Sequence, residues 1–128
     1  MNMLRDQTRA RHAYASVGTV PPEHREDYKI AVNAFGAHVI RSGLCAAIAW
    51  LQRRSTKEAA DLFLKHLDEA GIRGLPAAGL QTPPSFVAKV HAADAAGYMI
   101  ATRDTLALVV WFRRAVQALS GDTSGADR

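Results

Sequence analysis

The sequence has one cysteine, few prolines and glycines, and no long apolar run. With Cys45 alone no internal disulfide can form, and we expect this thiol to be a small buried apolar residue. Five Pro and nine Gly are too few for a low-complexity chain. No stretch approaches the roughly 18 apolar residues of a membrane span, and residues 1–11 lack the apolar core of a signal peptide. These absences favour a soluble, cytoplasmic protein with no membrane partner.

Enzyme motifs are also missing. The sequence contains no GK[ST] phosphate loop, HExxH, GxSxG or CxxC. The adjacent acid pairs 26–27 and 68–69 diverge around a helix, which suits solvated helix ends better than acid–base catalysis. The five histidines are never three or four residues apart, so we expect surface or core-edge residues with one hydrogen bond each: His12, His24, His38, His66 and His91. We therefore predict no catalytic residue, no cofactor and no metal site.

The length and composition are those of one folded unit. The chain has 128 residues and a mass of 13.9 kDa, with 48% hydrophobic and 22% charged residues, which suffices for a core of its own. We find no internal repeat and no interdomain linker. We predict a single domain over residues 1–128, a surface loop over 71–84, and disorder in the last few residues after Ser120.

Apolar residues recur at helical spacing along most of the chain. In the first segment the proposed buried stripe is Met3, Ala10, Tyr14 and Val17, and in the second it is Tyr28, Val32, Phe35 and Val39. Gly43 interrupts the second segment, and a short apolar helix follows over 44–54. Residues 55–58 have the form of a capping box with Ser55 as N-cap and Glu58 three residues on.

The last segment, from about Asp94 to Ser120, is apolar on two sides. One broad face carries Tyr98, Thr105, Val109, Phe112, Val116 and Leu119, and the opposite face carries Met99, Leu106 and Val110. Such a helix is enclosed by neighbours or touches a second protein. Together these patterns predict an all-α fold, a single compact bundle of about five to six helices with a long C-terminal helix.

The basic residues indicate which partner is chemically suitable. The formal net charge is +4, and twelve of the sixteen basic residues are Arg, which binds phosphate and stacks on bases better than Lys. A GC-rich genome explains the arginine excess equally well. Arg53, Arg54 and Lys57 cluster at a helix junction, and Arg103, Arg113 and Arg114 lie near Trp111 on the last helix, a combination typical of RNA binding. Solvated charges, ion pairs with Glu58, Asp61 or Asp104, and core packing of Trp111 are the simpler alternatives.

Three sequence runs together resemble the small all-helical subunit of the type III-B CRISPR effector, the Cmr RNA-targeting complex. They are residues 13–17 (AYASV), residues 39–44 (VIRSGL) with 49–51 (AWL), and residues 98–103 (YMIATR) continuing through Leu108, Trp111, Phe112, Arg113, Arg114 and Ala115. They occur in the family's order over nearly the whole chain. Ser42 stands where the family usually has Asn, and Trp50 where it has Phe.

The resemblance implies a non-catalytic protein. Its copies would stack as a filament opposite the repeating backbone subunit and would help to hold the guide–target RNA duplex in antiviral defence. The implied partners are the other Cmr subunits, further copies of the chain, and guide and target RNA. The resulting RNA-binding candidates are Arg41, from the family motif, and, from their clustering, Arg53, Arg54, Lys57, Arg103, Arg113 and Arg114.

Two other functions remain as hypotheses. A small basic helix-turn-helix DNA-binding regulator would place its turn at residues 54–56, although the following helix is acidic. The second is a small helical enzyme or a scaffold protein without a nucleic-acid role. The enzyme would need a deep pocket around His38, His66 or His91, whereas the scaffold would need no ligand.

Overall fold

Helices account for most of the part of the chain that the structure, a computed structural model, describes: residues 2–76 and 85–126, with side chains over 4–76 and 85–119. The elements are α1 (Asn2–Gly18), a 3₁₀ turn (Pro22–His24), α2 (Arg25–Ser42), α3 (Leu44–Arg54), α4 (Lys57–Glu69), α5 (Phe86–Ala92) and α6 (Ala95–Ala126). No strand occurs within these ranges. The predicted all-α fold with a long C-terminal helix is confirmed.

Two predictions fall largely outside this part of the chain. Residues 77–84 of the predicted loop are not described, whereas residues 71–76 form turns after α4. The side chains after Leu119 are likewise not described, so disorder after Ser120 stays a prediction. In the described ranges the buried apolar residues form one cluster drawn from all six helices.

The stripe predicted for α2 forms the middle of this core. Tyr28, Val32, Phe35 and Val39 are all buried. Phe63 of α4 contacts Phe35 edge to face with 5.2 Å between ring centroids, and it contacts Phe112 of α6 at 5.5 Å. Such edge-to-face pairs add to the stabilisation from burial alone. They join α2, α4 and α6 through one aromatic cluster.

α2 and α6 run antiparallel. A Cβ added at Gly36 would lie 3.3 Å from Val109, and one added at Gly43 would lie 3.3 Å from the hydroxyl of Tyr98. Gly43 has φ +94°, which lets the chain leave α2 and enter α3 without an intervening loop. The Cys45 N–H donates a hydrogen bond of 2.9 Å to the Tyr98 hydroxyl, so Tyr98 fixes this turn against α6.

Two burial predictions are wrong. Tyr14 is 40% exposed, because the buried side of α1 is formed by the smaller residues Ala13, Ser16 and Val17. Cys45 is exposed. The buried face of α3 is made by Leu44, Ala47, Ile48 and Leu51, whose spacing places position 45 on the outer side.

The predicted cap of α4 is displaced by one residue. Thr56, not Ser55, is the N-cap, and its hydroxyl accepts a hydrogen bond of 3.3 Å from the Ala59 N–H. Ser55 instead ends α3 as its C-cap in an extended conformation, and its hydroxyl oxygen is buried without a hydrogen-bond partner. The capping box is therefore not formed.

The segment after α4 is held closely against α6. The backbones at Gly74 and Gly97 approach so closely that neither position has room for a Cβ, and Gly74 has φ +91°. The Arg73 N–H donates to Asp104 Oδ2 at 2.8 Å, and Arg9 of α1 donates to Asp104 Oδ1 at 2.6 Å. Asp104 thus ties α1, the segment after α4 and α6 together.

Candidate nucleic-acid interface

The first group of predicted RNA-binding residues lies where α3 meets α4. Arg53 and Arg54 form the last turn of α3, Lys57 begins α4, and all three are exposed. Lys57 Nζ donates to Asp61 Oδ2 at 2.6 Å, and this hydrogen bond and the carboxylate charge raise the pKa of Lys57. The ion-pair alternative therefore describes Lys57, whereas no ion pair forms at Arg53 or Arg54 with any described residue.

The second group lies on the outer side of α6. Arg103, Arg113 and Arg114 are exposed. The Arg114 guanidinium lies over the half-buried Trp111 ring, 4.7 Å from its centroid, in a cation–π contact. The alternative of an ion pair between one of these arginines and Asp104 is not realised, because Asp104 pairs with Arg9.

Arg41 belongs to neither group by sequence, but the antiparallel packing of α2 and α6 places it at the same end as Arg103. Arg41 is two residues before Gly43, at the turn whose Cys45 N–H bonds to Tyr98, and Arg103 is five residues after Tyr98 on α6. Arg54 lines a cavity with Asp27, at the opposite end of α2. Positions 27 and 41 are separated by about 21 Å along a helix. The candidate cations therefore occupy both ends of the bundle.

Sequence reasoning missed an aromatic pair beside the first group. The His38 and Trp50 rings stack with 4.0 Å between centroids and 24° between planes. Trp50, Arg54 and Asp27 also line a cavity of about 180 Å³. The sequence carries a signal for the pair, because residues five or six positions on either side of a sharp turn at 43–44 meet when two helices fold back on each other.

The predicted surface or core-edge location is wrong for His66. His66 is 4% exposed and lies in the core. The Tyr28 hydroxyl is 2.7 Å from His66 Nδ1, and the Thr19 hydroxyl is 3.5 Å from its Nε2. Burial lowers the pKa of His66 to about 4 and raises that of Tyr28 far above its usual range. Both groups are therefore neutral at pH 7, and the hydrogen bond between the Tyr28 hydroxyl and the His66 imidazole is a structural arrangement rather than an acid–base pair.

Two kinds of site are not found in the described part of the chain. No group of three or more His, Cys, Asp or Glu side chains there could hold a metal ion. None of its helices is long and apolar enough to cross a membrane.

The helix-turn-helix alternative requires α4 to present a face suited to DNA. The turn exists, because only Ser55 and Thr56 separate α3 from α4. However, the exposed side of α4 carries Glu58, Asp61 and Glu69, and carboxylates repel phosphates. This face does not suit the major groove.

Comparisons with known proteins agree with the fold and with the sequence resemblance. The family model described as CRISPR-associated protein (Cas_Cmr5) matches residues 5–119. The crystal structure of a CRISPR-associated Cmr5 family protein from Thermus thermophilus is similar at 26% identity and a TM-score of 0.71, covering 90% of this chain and 96% of that one. Among curated proteins no match is found. The chain therefore belongs to the Cmr5 family of CRISPR-associated proteins, as its resemblance to the small type III-B subunit predicted.

Proposed function

We propose that this Cmr subunit is a non-catalytic component that helps to hold the guide–target RNA duplex within the effector complex, in antiviral defence. Its partners there are the backbone subunit, further copies of itself, and the guide and target RNA. The observation that carries the proposal is that five of the predicted RNA-binding arginines are exposed and make no side-chain hydrogen bond or ion pair to any described residue: Arg41, Arg53, Arg54, Arg103 and Arg113.

Unpaired surface arginines suit an RNA duplex that is read by its backbone. Fixed positive charge attracts phosphates whatever the base sequence, as a guide-directed complex requires. Arg114 and Lys57 complete the set, although Trp111 and Asp61 already contact them. Because the cations lie at both ends of the bundle, a duplex that contacts them all has to run along the helices.

The test replaces Arg53, Arg54 and Arg114 together by Ala in the assembled effector complex. We expect weaker target-RNA retention, and a plot of log affinity against log salt whose slope is smaller by about 0.9 for each phosphate that the variant no longer neutralises. The matched control replaces the exposed Arg5, Arg11 and Lys65, which removes the same charge from other surfaces. Equal salt slopes for wild type, test variant and control would refute the assignment of these cations to RNA binding.

We further propose that copies of the chain stack head to tail along the complex. A filament needs two different surfaces that mate, a heterologous contact. The outer side of α6 supplies apolar area for one of them, because Met99 is 58% and Val110 44% exposed. We assign a second copy of the chain to this surface. In an open-ended stack each copy covers the exposed apolar surface of the next one.

The proposed absence of catalysis rests on the chemistry of the described side chains. Acid–base catalysis at neutral pH needs groups with matched pKa values at an open site. The strongly shifted groups, His66 and Tyr28, are buried and bonded to each other. We therefore assign target cleavage to another subunit. We also propose that the complex is cytoplasmic.

A further inference from the structure

A cavity of about 180 Å³ lies beside the α3–α4 junction, next to the first group of candidate cations. Helix α2 forms one wall, and the end of α3 with the cap of α4 forms the other. Its lining residues are Asp27, Ile30, Ala31, Trp50, Arg54, Ser55 and Thr56. The cavity thus combines an indole ring, a guanidinium, a carboxylate and two hydroxyls.

Ser55 is the anomaly in this cavity. Its hydroxyl oxygen is buried and has no hydrogen-bond partner among the described residues. Leaving a buried polar group unpaired costs about 1–3 kcal/mol, and nearly all such groups in folded proteins find a partner. A ligand group that enters the cavity, with rotation of the Ser55 side chain, would supply the missing hydrogen bond.

The neighbouring polar groups also retain capacity for a ligand. Thr56 accepts from the Ala59 N–H with its oxygen, so its O–H remains free to donate. Asp27 and Arg54 have no side-chain partner in the described ranges. Donors, an acceptor and a fixed cation therefore meet within one small space.

Trp50 gives the cavity an aromatic wall. The ring is half-buried and is held in place by His38, which stacks on it. Aromatic side chains bind unpaired RNA bases by stacking, while hydroxyls donate to or accept from base edges and ribose hydroxyls, and carboxylates accept from them. An apolar peptide side chain would leave the Ser55, Thr56 and Asp27 groups without partners.

We propose that this cavity is a subsite for one unpaired RNA nucleotide, an inference that rests on the proposed function. Its base packs against Trp50, the polar edge of the base forms hydrogen bonds with Ser55 and Asp27, and its phosphate contacts Arg54. The subsite therefore adds base-dependent binding to the backbone contacts of Arg53 and Lys57.

The experiment uses the full chain with Trp111→Phe, so that Trp50 is the only fluorescent indole. It is titrated with a short single-stranded oligoribonucleotide and with a ribose-phosphate oligomer of the same length that lacks bases. We expect the base-bearing oligomer to quench Trp50 and to bind about 5- to 150-fold more tightly, the range for one stacked base. Both oligomers should retain the salt dependence of their phosphates.

Ser55→Ala is the specific variant, and Thr8→Ala, at an exposed α1 hydroxyl, is its control. We expect Ser55→Ala to weaken the base-bearing oligomer only, while leaving the chain equally or more stable because an unpaired buried hydroxyl is removed. Equal binding of both oligomers, or no quenching at millimolar RNA, would overturn the subsite. If assembly of the complex makes Trp50 inaccessible before RNA is added, a protein partner covers the cavity. That result would also overturn the subsite. Salt-insensitive binding of the oligomer without bases would instead contradict the proposed function.

Discussion

Asp104 shows how much one side chain contributes to joining distant segments. It is the common acceptor for Arg9, 95 residues away, and for the backbone of Arg73. The Asp104 side chain is only 10% exposed and that of Arg9 18%. Hydrogen bonds to a charged group with little solvent screening are stronger than surface ion pairs.

We therefore expect Asp104→Ala to lower the free energy of unfolding by about 2–3 kcal/mol. The control is Asp6→Ala, because Asp6 also contacts Arg9, at 3.2 Å, but its side chain is 53% exposed. That change should cost less than about 1 kcal/mol. Urea denaturation of both variants measures the difference, and equal losses would show that Asp104 has no special structural role.

His66 makes the stability of the protein sensitive to acid. Its pKa is about 4 in the folded chain and about 6.5 when unfolded. Below pH 6.5 the unfolded state therefore binds a proton at His66 that the folded state does not bind. The free energy of unfolding falls as the pH is lowered, until the pH reaches about 4. Urea unfolding between pH 7 and 4 should show a loss of up to about 3 kcal/mol from this group.

The replacement His66→Gln separates this effect from the titration of other groups. Glutamine retains hydrogen-bonding capacity near Tyr28 but does not titrate in this range. The variant should be less stable at pH 7 and should lose less stability on acidification than the wild type. Parallel pH curves for the two proteins would contradict the role of His66.

At the scale of the element, sequence periodicity predicts helices well and their orientation unevenly. The predicted stripe on α2 is correct because its large apolar residues recur at regular spacing, and only one orientation of the helix buries all of them. On α1 the same reasoning selected Tyr14, but close packing against α6 favours the smaller Ala13 and Ser16. The spacing of the buried residues in α3 places Cys45 on the outer side, so the sequence does contain the information that this thiol is exposed.

Contacts between elements explain what the sequence did not predict. Tyr28 and His66 are 38 residues apart, and their hydrogen bond depends on how α2 and α4 cross. The cavity at Trp50 depends on the packing of α3 against α2. By contrast, the candidate cations could be predicted as exposed, because arginine is seldom buried without a partner. Their division between two ends of the bundle required the antiparallel pairing of α2 and α6.

Two substitutions at the α3–α4 junction distinguish Ser55, the predicted N-cap of α4, from Thr56, the observed one. Thr56→Ala removes the side-chain acceptor for the Ala59 N–H and should cost about 1 kcal/mol. Ser55→Ala removes a hydroxyl without a partner and should cost nothing or stabilise the fold. Thermal unfolding of the two variants gives the comparison, and the opposite ranking would restore Ser55 as the cap.

At the scale of the whole molecule, the outer face of α6 combines two kinds of chemistry. Arg103 lies within about 60° of Met99 and Val110 around a helix of about 100° per residue, and all three are exposed. A surface with both apolar and guanidinium groups is typical of protein interfaces as well as of RNA contacts. Self-association and RNA binding are therefore expected to be neighbours on this helix and to depend on each other in the complex.

Head-to-tail stacking through the outer side of α6 can be tested by placing charges in the contact between copies. Met99→Asp with Val110→Asp should leave the fold intact, because both positions are exposed, but should place two charges in the contact between copies. We expect self-association to weaken at least about tenfold and the assembled complex to contain fewer copies, measured by sedimentation and native mass spectrometry. Leu4→Asp, at a 64% exposed position on α1, is the control for added charge. An unchanged copy number in the double variant would exclude this face from the contact, because a buried, unpaired carboxylate could not be accommodated there without cost.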